Sequence, residues 1–119
     1  MVEKKNNKQN QKKDNHSPST GLVFHPDYLK HDSGQNHPES SERLSFLMEY
    51  LGKKGILARL QNIDPYYASV DNVELVHDPA YIKMVEKICK SGGGMLDPDT
   101  RVGAESYKVA LLAAGGVMA

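Results

Sequence analysis

Residues 1–20, MVEKKNNKQNQKKDNHSPST, contain no aromatic side chain and only Met1 and Val2 as apolar ones, so burial within this block cannot offset the entropy of ordering it. Whatever folds must fold from residues 21–119, which is enough for one domain at most. The split also divides the charge. Five lysines face only Glu3 and Asp14 in the first block, and the remainder carries 10 basic against 13 acidic groups, so a formal net charge of zero conceals a basic tail on a mildly acidic body. The expectation for 1–20 is a disordered, solvated leader. Five lysines without arginine or aromatic platforms make a poor footprint for a polyanion, and no nucleic-acid partner is expected. No apolar run approaches a membrane span or the core of a secretory signal, so a soluble cytoplasmic protein without a membrane partner is expected. Cys89 is the only cysteine, which excludes an internal disulfide framework.

Leu22, Val23 and Phe24 suit a short buried strand that His25-Pro26-Asp27 turns away, and residues 31–39 have the composition of a loop. Ser40 or Ser41 starts a helix whose apolar positions Leu44, Leu47, Met48 and Leu51 fall at i, i+3, i+4, i+7, with Gly52 and Gly55 as stops. A helix end and a short strand are expected over Ile56–Ile63, then a turn capped by Asp71. Asp78-Pro79 opens a further helix carrying Ile82, Val85, Ile88 and Cys89 inward. Gly92-Gly93-Gly94 and a loop over Met95–Thr100 lead to a last helix from about Ala104, with Tyr107, Ala110, Leu111, Ala114, Val117 and Met118 on its apolar side. That helix is still apolar at Ala119, which suggests a truncated domain. Four helical stretches and at most two strands predict an α/β chain, mostly helical, whose parallel sheet is too small to be covered on both faces.

Several constellations are open to more than one chemistry. His25, Asp27, His31, Asp32 and His37 are zinc- or manganese-type ligands in kind, but they match no helical ligand pair and suit a turn-rich loop equally. Asp97 and Asp99 are either a carboxylate pair for acid/base work or turn and helix-capping residues. Arg43 either holds an anion or lies on the solvated face beside Glu39 and Glu42. The glycine run lacks the pattern of a phosphate loop, and Cys89 sits on an apolar stripe with no base placed beside it.

Taken in order, Leu22-Val23-Phe24, Pro26-Asp27-Tyr28, His31-Asp32-Ser33-Gly34, His37-Pro38-Glu39 and Arg43 resemble the start of the histone deacetylase superfamily, including its acetoin-utilisation and acetylpolyamine amidohydrolase branches. Val76-His77-Asp78 with Tyr81-Ile82, Gly92-Gly93-Gly94 with Leu96-Asp97 and Asp99-Thr100, and Ala113-Ala114-Gly115-Gly116 continue the resemblance. It implies the N-terminal third of an arginase/deacetylase-like three-layer fold, with residues 21–119 truncated at the C-terminus. It also implies a Zn(II)-dependent hydrolase of acetylated lysine or polyamine amides. By the same resemblance Arg43 lines the internal channel through which acetate leaves, and Asp97 stands at the pocket rim as acceptor for the substrate backbone. His31, Asp32 and His37 shape the first loop and the channel wall. The zinc ligands, the histidine pair and the oxyanion tyrosine of the family would all follow Ala119, so this chain is expected to be inactive alone and to lack the remainder of its own domain. The alternative from another class is a stand-alone helical binding module whose basic tail engages a polyanion.

Overall fold

The computed structural model describes residues 20–119, so the tail expected over 1–20 lies, Thr20 apart, outside the described residues. Two short strands, β1 (Gly21–Val23) and β2 (Gln61–Ile63), pair in parallel with Gly21 opposite Gln61. Parallel strands need a long crossover, and the forty or so residues between them supply it: a 3-10 turn at Pro26–Lys30, the loop 31–40, helix α1 (Ser41–Lys53) and a second 3-10 turn at Leu57–Arg59. Ser40 occupies the N-cap position of α1, Glu42 and Lys53 complement the dipole at its two ends, and Glu49 pairs with Lys53 at 2.6 Å. Gly52 lies inside this helix instead of ending it. The stop is Gly55, whose φ of 68° only glycine adopts without cost.

Helix α2 (Val70–Glu74) is capped by Ser69, whose hydroxyl accepts from the Asn72 N–H; Asp71, the expected cap, lies inside the first turn. Helix α3 (Pro79–Lys90) begins as expected, with the Asp78 carboxylate accepting from the Ala80 N–H at 2.7 Å and Pro79 at the first helical position. Ile82 and Cys89 are its buried residues.

The largest departure from expectation lies between α3 and the last helix. The stretch expected as a glycine-rich connection and a loop is an antiparallel hairpin, β3 (Gly93–Asp97) with β4 (Thr100–Gly103), so the described residues hold four strands. Gly92 and Gly93 enter it at φ of 106° and 108°, and the backbones of Gly93 and Val102 approach too closely for any side chain at 93. Asp99 and Thr100 therefore cap no helix. Helix α4 (Ser106–Met118) starts after the hairpin, with Glu105 at its N-cap position.

The face that α4 turns inward also differs from expectation. Ser106, Leu112, Gly115 and Gly116 are buried, whereas Val117 is 88% exposed. The helix is apolar all round, so periodicity could not choose a side, and the pair of glycines decides it by permitting contact between backbones. Gly115 lies against the Tyr66 carbonyl and Gly116 against Tyr28 and Val23, while the Ala68 N–H reaches the Leu111 carbonyl at 3.0 Å. The buried apolar set among the described residues is Ala68, Ile82, Cys89, Val102 and Leu112.

Candidate functional site

The loop 31–40 crosses the end of the β3–β4 hairpin and the start of α4, and its own polar groups hold its shape. Asp32 Oδ1 accepts from the Gly34 N–H at 2.9 Å, the Ser33 hydroxyl donates to the Glu39 carbonyl, and His37 Nδ1 accepts from the Glu39 N–H at 3.0 Å. These are turn-type bonds of the kind short polar side chains make to nearby backbone. A hollow of about 400 Å³ lies under the loop, between it and the first residues of α1. Gly103 at the end of β4 lets the Asp32 side chain approach, since a Cβ there would stand 3.0 Å from the Asp32 Cβ.

His31 joins this loop to α4. Its Nε2 lies 3.3 Å from Glu39 Oε2 and its Nδ1 lies 2.8 Å from the Ser106 hydroxyl. A carboxylate only accepts, so the ring proton belongs on Nε2; the Ser106 O–H then donates to Nδ1 and its oxygen accepts from the Gly103 N–H at 2.8 Å. Ser106 is buried, so its replacement by alanine removes the acceptor of a buried amide. Ser106→Ala is expected to lower stability by about 1–3 kcal/mol, measured by urea denaturation. An unchanged midpoint would show that the chain of bonds contributes nothing.

His37 joins the loop to the hairpin turn. Because Nδ1 accepts from Glu39, the neutral ring carries its proton on Nε2, which donates to both Oδ1 and the carbonyl of Asp99, each at 3.1 Å. The Asp99 carboxylate raises the pKa of His37 above the ordinary histidine value. Asp99 in turn donates its N–H to Asp97 Oδ1 at 2.8 Å, and this bond, with one from the Thr100 hydroxyl, holds the Asp97 carboxyl below the usual carboxylate range. Asp97 is exposed and ionised. The hairpin register shifts between Met95 and Asp97, a bulge of the kind that re-aims a side chain.

The residues proposed from sequence therefore do not form one cluster. His31, Asp32, His37 and Asp97 belong to one loop-and-hairpin surface, whereas Arg43 is exposed on α1 and enters none of the ion pairs among the described residues. Asp97 and Asp99 are bound through a backbone amide, which makes them a turn instead of a carboxylate pair sharing a proton. No three His, Cys, Asp or Glu side chains converge as metal ligands among the described residues, and all four imidazole nitrogens of His31 and His37 are committed to groups of Glu39, Ser106 and Asp99. The donor set present here does not fit a zinc ion, and the reading of this loop as a metal site of its own goes with it. Cys89 is 2% exposed and belongs to the core. Sequence reasoning missed Ser106 and Glu39 as the partners of His31, and no local signal ties residues 75 apart.

Beside this surface opens an apolar groove of about 570 Å³ between α1, α3 and α4, lined by residues such as Leu44, Tyr81, Val85, Val109 and Ala113, with His31 and Ser106 at its polar edge. Leu75 and Val76, beyond α2, are each 81% exposed. No helix among the described residues is long and apolar enough to cross a membrane.

Comparison with known proteins matches residues 37–119 to the histone deacetylase domain family. A probable deacetylase of Archaeoglobus fulgidus is 41% identical over 101 residues, which cover 83% of this chain and 28% of the relative. A histone deacetylase-like amidohydrolase of Pseudomonas aeruginosa is 32% identical over 88 residues, covering 74% of this chain and 23% of the relative. Among solved structures, the crystal structure of the HDA15 HD domain superposes with a TM-score of 0.77 at 25% identity, over 84% of this chain and 30% of the other. The chain thus spans less than a third of the length of each of these proteins.

Proposed function

From the premise that this chain belongs to the histone deacetylase family, we propose that it forms the N-terminal wall of a zinc-dependent amide hydrolase acting on acetyl-lysine or acetylpolyamine-type substrates, and that it is inactive by itself. The observation that carries the reading is the family match over 37–119 combined with coverage of only 28% of the archaeal relative. The zinc ligands would come from the part of the domain beyond this match.

What this chain's own residues would do follows from their chemistry. Asp97, exposed and held ionised by the Asp99 amide, would accept hydrogen bonds from the backbone of a bound substrate at the rim. Arg43, with a planar guanidinium, would pair with the carboxylate product. His31, Asp32 and His37 would hold the first loop in the shape of the cavity wall, through the bonds to Ser106, Gly34 and Asp99. The apolar groove beside α4 and the exposed Leu75 and Val76 support the reading that a further part of the domain covers these surfaces.

The test is zinc stoichiometry together with turnover of an acetyl-lysine reporter. The 119-residue chain is expected to bind no stoichiometric zinc and to give no turnover above background. When it is joined to the remaining segments of a family domain, chelator-sensitive turnover is expected, and Asp97→Asn in that complete domain is expected to raise KM about tenfold or more with a smaller effect on kcat. Tight zinc and turnover by the chain alone would refute the proposal.

A further inference from the structure

We propose that His37 is a positioning residue for Asp97, acting through Asp99, so that the aim of the rim carboxylate is set by a clasp between the first loop and the hairpin turn. The inference rests on the reading of Asp97 as a substrate-binding residue and extends it to a residue that touches no substrate.

Within the turn Asp97 is held by the Asp99 N–H and the Thr100 hydroxyl, so its aim depends on how firmly Asp99 is placed. Asp97 and Thr100 pair across a two-residue connection, Pro98-Asp99, and neither turn residue has a positive φ. It is therefore not one of the primed turns whose twist matches a two-residue hairpin, and turns of the other hand splay the strands they join. The bulge before Asp97 adds a further local irregularity. An Asp99 held only by this turn would leave its N–H, and the Asp97 oxygen bound to it, free to shift. His37 supplies the external hold. One Nε2–H reaches both the carbonyl and the carboxylate of Asp99, which fixes the residue's backbone as well as its side chain. His37 is itself held from behind by the Glu39 N–H, and it is only 23% exposed while Asp99 is 93% exposed, so the loop is the anchored side of the clasp.

The charged groups around the ring are few. Asp99 faces it from the hairpin turn; Asp32, Glu39 and Glu42 belong to the loop and the first turn of α1, and Arg101 on β4 packs against Gly34. Asp99 raises the pKa of His37, so the imidazolium form of the clasp is fully present below about 6.5, the ordinary histidine value, and is lost as pH rises through the higher folded value. The neutral hydrogen bond remains above it.

The experiment is an NMR titration of the chain that follows the His37 ring, the Asp99 amide and the Asp97 side-chain carboxyl carbon. The carboxyl carbon of Asp97 is expected to show two steps, its own ionisation at acid pH and a second at the midpoint of His37, shared by the Asp99 amide. Asp99→Asn should lower the His37 midpoint and abolish the second step. His37→Gln, which keeps a neutral donor, should hold the Asp99 amide near its native position with no second step, whereas His37→Ala should displace it. A single acid step at Asp97, including the unstructured behaviour of a chain that does not fold, would overturn the inference, as would an Asp99 amide that is the same in the native chain, His37→Gln and His37→Ala. This measurement reads the aim of Asp97 and not turnover, so its failure is separable from failure of the deacetylase reading, which the KM effect of Asp97→Asn addresses.

Discussion

Gly115→Ala is expected to lower the stability of the chain by about 3 kcal/mol or more, the upper end of what overpacking costs. A Cβ at this position would stand 1.7 Å from the Tyr66 carbonyl oxygen, 2.7 Å from its carbon and 2.9 Å from the Ala68 nitrogen. All three are backbone atoms, so no rotamer change can make room. The helix must move away, and the bond from the Ala68 N–H to the Leu111 carbonyl must break with it. Burial of Leu112, 4% exposed one turn earlier, depends on the same approach. Gly52→Ala is the control. Gly52 is in α1 with only Leu57 Cδ1 near, at 3.6 Å, and alanine there should be neutral or should stabilise by about 0.5–1 kcal/mol through helix propensity. Urea midpoints of the two variants would separate close contact from propensity, and a loss below about 1 kcal/mol in Gly115→Ala would show that α4 does not pack through its glycines.

Gly93→Ala is expected to detach the hairpin, with a loss of about 2–4 kcal/mol from two additive causes. The residue sits at φ of 108°, a conformation that side chains rarely adopt, and its Cβ would stand 2.4 Å from the Val102 carbonyl oxygen and 3.0 Å from the Gly103 Cα. Gly92→Ala separates the two causes. Position 92 shares the positive φ, at 106°, but nothing lies within 4 Å of its Cβ, so only the conformational cost of about 1 kcal/mol applies. Amide hydrogen exchange across Gly93–Gly103 would report the difference: fast exchange in Gly93→Ala and near-native protection in Gly92→Ala is the expected pattern. Since Gly103 donates to Ser106 and Asp99 receives His37, loss of the hairpin should also free the loop 31–40. Equal protection in both variants would mean that the close backbone approach is not what holds the strands together.

The elements that were legible from residue order are those whose causes are local. The start of α3 followed from Asp78-Pro79, because both the accepting carboxylate and the proline are needed within one turn. The extent of α1 followed from the spacing of Leu44 to Leu51, although none of its side chains is fully buried and Leu47 is 50% exposed. The hairpin at 93–103 was not legible. Its strands, Gly-Gly-Met-Leu-Asp and Thr-Arg-Val-Gly, show no apolar alternation and only two β-branched residues, and Pro98-Asp99 resembles a loop or a helix start as much as a hairpin turn; pairing between β3 and β4 and packing against α3 decide the matter. The site was legible only in part. Residue type singled out His31, Asp32, His37, Asp97 and Arg43, and the resemblance supplied the role expected of each, but the bonds that fix the two histidines run to Ser106 and Asp99, 75 and 62 residues away.

By itself, residue order determined where α1 and α3 begin, which segments are too polar for a core, that a single cysteine allows no internal disulfide, and which family this chain resembles, because each depends on neighbours along the chain or on residue identity. Only the tertiary structure decided which face of α4 turns inward, that the glycine-rich stretch is a strand, and that the two loop histidines bind protein groups. Those outcomes depend on contacts between segments far apart in sequence, where backbone approach at Gly93 and Gly115 and the placement of Ser106 and Asp99 select one arrangement among several that local preference leaves equal.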